Sequence, residues 1–129
     1  MSARILLIED NAQNRYLLTF LLESQGHSVV SAEDGPAGLR CAAQQPFDLV
    51  LLDIQLPGMD GYAVARLLRE LPATSRIPIV AVTSYAMSGD RERVLAAGCS
   101  GYLEKPIDPD GFTGLISTYL PPAAPEQIT

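Results

Sequence analysis

Histidine and lysine are nearly missing from this 129-residue chain: His27 and Lys105 are the only ones, and tryptophan is absent. A single histidine directly after Gly26 leaves little on which a histidine-rich metal centre or a Ser/His/Asp triad could rest. Cysteine occurs twice, as Cys41 and Cys99, with no CxxC or Cys/His spacing, so neither zinc nor a redox pair is indicated. Both thiols are expected to be buried small apolar residues. No apolar run approaches the ~20 residues needed to cross a bilayer. The N-terminus passes from Met1 straight into the short run Ile5 to Ile8, which cannot serve as the core of a signal peptide. A cytoplasmic location without membrane insertion is the expectation. A GxxxxGK[ST] loop is also missing, which removes Walker-type nucleotide hydrolysis. Positive charge is scarce, 9 basic against 15 acidic residues for a net charge of −6, so nucleic acid and anionic membranes are excluded as electrostatic partners. Since every other basic residue is arginine, Lys105 stands out as a position that keeps a compact point charge.

What is present suits one folded domain. The length lies within the ~100–200 residues usual for one, and 47% hydrophobic residues are enough for a core. The domain is expected over residues 1–120, followed by a Pro-rich tail at 121–129. Three apolar runs, Ile5 to Ile8, Leu49 to Leu52 and Ile79 to Val82, lack period-2 alternation and read as strands buried on both faces. Ser28 to Ala32 and Gly101 to Glu104 are weaker candidates. Helical spacing predicts one buried stripe from Val64, Leu67, Leu68 and Leu71, and another from Phe112, Leu115, Ile116 and Tyr119. Asp34, Asp60, Ser88 and Asp108 sit where helices should start, and Gly26 and Gly98 where they should stop. Together these signals place strands near 4–9, 28–32, 49–53, 79–83 and 101–104, and helices near 12–25, 35–44, 61–71, 88–97 and 109–120. Five strand-helix units of this kind imply an α/β doubly wound fold with helices on both faces of a five-stranded parallel sheet; of the usual orders of such sheets, the flavodoxin-like 2-1-3-4-5 is the one expected here.

Ligands of open parallel sheets bind at the carboxyl ends of the strands. The first run ends in Glu9-Asp10, the third in Asp53, the fourth in Thr83 and the fifth in Glu104-Lys105-Pro106. Each residue has a plainer use taken alone: Asp10 or Asn11 as a helix cap, Asp53 opening a turn toward Pro57-Gly58, Thr83 and Ser84 bonding the local backbone, Lys105 solvated. The plain uses leave the set unexplained. Carboxylates held together repel one another unless a cation or proton offsets their charge. An oxygen-only cluster suits Mg²⁺, and Mg²⁺ beside a lysine, a hydroxyl and a carboxylate fits phosphoryl transfer. Aspartate can act as the nucleophile, and Asp53 is the best candidate because the third strand should be central; Glu9 and Asp10 would then hold the metal. A haloacid-dehalogenase-type phosphatase would need a second aspartate two residues on as general acid. That position is Gln55, which favours a phosphate acceptor over a hydrolase.

The segments RILLIEDN, LVLLDIQLPGMDG, IVAVTSYAM and GYLEKP, in this order and spacing, resemble the receiver domain of two-component response regulators over residues 4 to about 120. The EDNxxN pattern from Glu9 to Asn14 and the IQLPGMDG stretch are similar to receivers of hybrid sensor kinases and to single-domain regulators of the DivK type. The resemblance implies that Asp53 accepts a phosphoryl group, with Mg²⁺ required, from a sensor histidine kinase or a histidine phosphotransfer protein. It implies metal contacts from Asp10, Asp53, the Gln55 backbone carbonyl and, directly or through water, Glu9. By the same resemblance Lys105 pairs with a phosphoryl oxygen, Pro106 follows a cis peptide that aims the lysine, and Thr83 and Tyr102 form the switch pair. Ser84 departs from the family's usual small apolar residue.

A protein of this kind is a phosphoacceptor rather than an enzyme, with self-phosphorylation from phosphodonors and autodephosphorylation expected. Its output would be altered contact with a downstream protein through the fourth helix, fifth strand and fifth helix, as a monomer or a weak phosphorylation-dependent dimer. The first helix and adjoining loops would face the phosphodonor. Tyr85, Met87 and Val94 read either as core or as part of the output face. The alternatives are a receiver excised from a hybrid kinase or multidomain regulator, a metal-dependent phosphatase, and a flavodoxin-like cofactor binder. The native-looking Met1 start and the Pro-rich ending weigh against excision.

Overall fold

A computed structural model describes residues 2–84 and 88–120, without the side chains of 88 and 89. Tyr85, Met87 and the 121–129 tail therefore lie outside the described residues. Five strands, β1 (Arg4–Ile8), β2 (Ser28–Ala32), β3 (Leu49–Asp53), β4 (Ile79–Thr83) and β5 (Gly101–Glu104), alternate with α1 (Ala12–Ser24), α2 (Gly35–Gln44), α3 (Gly61–Glu70), α4 (Ser88–Ala96) and α5 (Pro109–Tyr119). The strands pair in parallel in the order β2-β1-β3-β4-β5, which agrees with the doubly wound topology expected from the alternation of strands and helices.

The unbroken apolar runs are explained by two cores, one on each face of the sheet. Leu6, Ile8, Val50, Leu52, Ile79 and Ala81 pack with the buried residues of α2, α3 and α4. Their neighbours Ile5, Leu7, Leu49, Leu51, Val80 and Val82 pack with Leu18 and Leu22 of α1 and Phe112 and Ile116 of α5. Successive side chains point to opposite faces, so a strand covered on both sides must be apolar at every position. β3 and β4 are buried throughout.

Helix starts follow the capping chemistry. The side chains of Asn11, Asp34, Asp60 and Asp108 accept backbone N–H bonds from Asn14, Ala37, Tyr62 and Asp110. Asn11 takes the cap of α1 with an Oδ1 to N distance of 2.9 Å, which leaves the Asp10 carboxylate free of that task. Gly26 and Gly98 follow α1 and α4 at φ 91° and 104°, values that favour glycine.

Two packing expectations are corrected. Leu67 is 38% exposed, because α3 turns Gly61, Val64, Ala65 and Leu68 toward the sheet and leaves Leu67 at the edge of that stripe; Leu71 is half-buried just beyond the helix end. Cys99 is buried as expected, whereas Cys41 of α2 is only partly covered, against the edge of the core. Val94 is a core residue. Among the described residues no helix is long and apolar enough to cross a membrane.

Candidate functional site

The parallel register brings the strand ends to one rim. Ile8 lies opposite Leu52, Asp53 opposite Val82, and Thr83 opposite Glu104, so Glu9, Asp53, Thr83 and Lys105 end or follow neighbouring strands. Glu9, Asp53 and Thr83 are 1%, 2% and 4% exposed, while Asp10 is open to solvent. One carboxylate oxygen from each of Glu9, Asp10 and Asp53 can be chosen so that all lie within 4.8 Å of one another.

Lys105 closes this cluster from the β5 end of the same rim. Its backbone N–H donates to the Thr83 carbonyl at 2.8 Å, tying the end of β5 to the end of β4. The next peptide, Lys105–Pro106, is cis. The ammonium donates to Asp53 Oδ2 at 3.1 Å and lies 3.4 Å from Glu9 Oε1. The other Asp53 oxygen accepts the Gln55 backbone N–H at 2.9 Å. Gln55 Oε1 in turn accepts the Ser84 N–H at 3.3 Å, linking the loops that follow β3 and β4. Tyr102, opposite Ala81 on β5, is half-buried against the α2–α4 core.

The electrostatics express the crowding. Burial foremost, and then the hydrogen bond and charge of Asp53, push the Glu9 carboxyl up to about 7. Burial by itself would lower Lys105, but its hydrogen bond to Asp53 and the charges of Asp53 and Glu9 outweigh that and hold its pKa above the usual lysine value. Glu9 Oε1 is buried and accepts no hydrogen bond among the described residues. Hard oxygen donors, one of them contacted only by the Lys105 ammonium at 3.4 Å, in a cluster where Glu9 is pushed toward its protonated form, fit a small divalent cation such as Mg²⁺.

Arg15 is a contributor that the sequence pattern did not single out. From the second turn of α1 its Nη1 donates to the carbonyls of Glu9 at 2.9 Å and Asp10 at 3.0 Å. The available signal was its distance along the chain, since a long side chain at that position reaches back over the turn preceding its helix. His27, in contrast, accepts the Ala3 N–H at Nδ1, between β1 and β2 and outside the cluster.

Residues 5–117 match the family profile of the response regulator receiver domain. The chain is 37% identical over 120 residues to the polar-differentiation response regulator DivK of Brucella ovis, covering 93% of this chain and 98% of that one. It is 38% identical over 121 residues to the signal transduction histidine-protein kinase BarA of Escherichia coli K12, covering 94% of this chain but only 13% of the kinase. Among solved structures it superposes with a TM-score of 0.85 on the receiver domain of sensor histidine kinase PA1611 from Pseudomonas aeruginosa PAO1, at 36% identity over 92% of this chain and 98% of that one. That crystal structure has a magnesium ion coordinated in its active site cleft.

Proposed function

The chain belongs to the response regulator receiver family of two-component signalling, and from that premise we propose that it accepts a phosphoryl group on Asp53 and changes its protein contacts in response. The observation that carries the reading is the Lys105 ammonium set against Asp53 Oδ2 at 3.1 Å, at the rim where Glu9 and Asp10 also converge. A buried carboxylate with a lysine on one oxygen and a backbone N–H on the other is held in one orientation, and positioning supplies most of the catalysis in phosphoryl transfer.

The donor is a phosphohistidine of a sensor histidine kinase or a histidine phosphotransfer protein. An Asp53 oxygen attacks phosphorus, the P–N bond breaks as the P–O bond forms, and the imidazole leaves with the bond's electron pair. Glu9, Asp10, Asp53 and the Gln55 carbonyl would hold Mg²⁺, which when bound neutralises charge on the transferred oxygens. Lys105 contributes the positive charge that this chain itself carries to the site. Thr83, at the end of β4, and Tyr102 on β5 are the switch pair: new acceptor oxygens on Asp53 favour the conformer that brings the Thr83 hydroxyl and Lys105 to them.

The donor would approach along α1, where Tyr16 and Phe20 are 74% and 59% exposed one turn apart. Output would run through α4, β5 and α5, where Leu95 is 46% exposed. Residues 1–120 form the receiver and 121–129 its tail in this reading. The chain spans only 13% of the kinase BarA, and this favours a second reading in which it serves as the receiver module of a longer protein. The size of the native protein on an immunoblot separates the two.

Incubation with acetyl phosphate and Mg²⁺ tests the acceptor. The intact mass should rise by one phosphoryl group, and chelation or Asp53→Asn should prevent it. An Asp53→Asn variant that still gains the group refutes the assignment.

A further inference from the structure

Carbonyls that lie past the end of a strand and before a helix begins have no ladder partner and no helical partner, so they must find another donor. The Glu9 and Asp10 carbonyls are in this position. The last sheet bond on this side is from the Glu9 N–H to the Ala32 carbonyl at 3.0 Å, and the first bond of α1 runs from the Arg15 N–H to the Asn11 carbonyl at 2.9 Å. Both are bonded instead by one nitrogen, Arg15 Nη1, at 2.9 and 3.0 Å. The two side chains that depart from this turn are two of the three carboxylates in the acidic cluster.

We propose that Arg15 is a positioning residue for the divalent-cation site: it fixes the backbone from which the Glu9 and Asp10 carboxylates reach the ion. The inference rests on the proposed cation site of this receiver. A donor shared between successive carbonyls sets their mutual orientation, and thereby the directions in which both side chains leave the chain. The turn is also braced from within, because the Asn11 N–H donates to Glu9 Oε2 at 3.1 Å and Asn11 Oδ1 accepts the Asn14 N–H. Arg15 is the one side chain described as bonding the outer, carbonyl side of that turn. Its Nη2 lies 3.8 Å from Glu33, which is 77% exposed, so that pairing is screened and contributes little. Its effect therefore comes from the carbonyl contacts and not from the surface ion pair.

The sign of the expected effect separates positioning from charge. Removing a positive charge near a cation site should tighten cation binding by electrostatics alone. Loss of positioning does the reverse, and most strongly for Mg²⁺, which demands near-octahedral geometry at about 2.0–2.1 Å, whereas Ca²⁺ tolerates longer and less regular contacts. The test is titration of the phosphate-free protein with MgCl₂ and with CaCl₂, followed by NMR or calorimetry, in wild type, Arg15→Ala, Arg15→Lys, Glu33→Gln and Asp10→Asn.

Arg15→Ala should weaken Mg²⁺ binding by about 10- to 100-fold, the usual consequence of removing a group that orients a metal's ligands. Ca²⁺ binding should weaken less, so the preference for Mg²⁺ falls. Arg15→Lys keeps the charge on a shorter side chain that ends in a compact ammonium instead of a planar guanidinium, and it should also bind Mg²⁺ more weakly than wild type; it carries the test if Arg15→Ala does not fold. Glu33→Gln should match wild type. An unchanged or tighter Mg²⁺ affinity in the folded Arg15 variants overturns the proposal, as does an equal loss for both ions. Wild type that binds no Mg²⁺, or Asp10→Asn that binds like wild type, refutes the cation site itself and not the role of Arg15 within it.

Discussion

Two carboxylates that share a buried rim cannot both be ionised cheaply, and Glu9 carries the strain, its carboxyl pushed up to about 7 by burial and by Asp53. An unfolded glutamate titrates near 4.5, so the folded state holds the extra proton between the two values, and stability decreases as pH rises through that window. Metal-free protein should therefore melt at a lower temperature at pH 8 than at pH 5, and Glu9→Gln should flatten that dependence in thermal denaturation. Mg²⁺ should raise the melting temperature more at pH 8, where Glu9 is ionised, than at pH 5. Lys105 does not blur this window. Its raised pKa means its contribution is fully present below the ordinary lysine value and is lost only at more alkaline pH. Lys105→Arg keeps the charge and replaces a point donor between Asp53 and Glu9 with a planar fork. It should accept phosphate from acetyl phosphate yet leave amide exchange over β5 and α5 unchanged on phosphorylation. Exchange that changes as in wild type would refute a special role for the ammonium. The identities of Glu9, Asp10, Asp53, Thr83 and Lys105 were legible because each ends or follows an apolar run. Arg15 was not, because its partners are backbone carbonyls that leave no trace in side-chain pattern.

Among the elements, α3 shows where periodicity is a sufficient guide and where it is not. Leu67 and Leu68 both fit the helical stripe, yet Leu68 is fully buried and Leu67 is 38% exposed. Leu68→Ala should cost about 2–5 kcal/mol in urea denaturation, the range for a buried leucine, while Leu67→Ala should stay within about 0.5 kcal/mol. Equal effects would mean that α3 sits on the sheet in another rotation. The same helix anchors α4 from its far end. Arg69 donates through Nε to the Gly98 carbonyl at 2.8 Å and through Nη1 to the Thr74 and Ile77 carbonyls at 3.0 and 2.6 Å. Helix starts were readable from Asp34, Asp60 and Asp108 because a cap is a local bond. The choice between Asp10 and Asn11 at α1 was not, since either side chain can cap a helix.

For the molecule as a whole, cation binding, folding and output are linked equilibria. A cation that binds only the folded chain stabilises it by about 2.7 kcal/mol when present at a hundred times its Kd. Mg²⁺ should therefore shift the urea midpoint upward, and Asp10→Asn should remove the shift. Switching needs more: moving a population from 1:99 to 99:1 takes about 5.5 kcal/mol. Two or three charge-assisted hydrogen bonds to a new phosphoryl group, at roughly 1.5–3 kcal/mol each, are of that size.

The sequence by itself determined the alternation of strands and helices, the parallel sheet, most helix ends and the residues at the strand tips. These depend on short-range spacing, on capping and on the need for apolar residues wherever a strand is covered on both faces. Only the tertiary structure decided which of those polar residues meet. Lys105 and Asp53 are 52 positions apart and touch because β3, β4 and β5 lie side by side in register. The raised Glu9 carboxyl, the release of Asp10 from capping, the grip of Arg15 on the turn between them and the exposure of Leu67 follow from packing around that rim and on the sheet faces. The contact between Lys105 and Asp53 is set by where the chain returns in space, and no local pattern of residues encodes it.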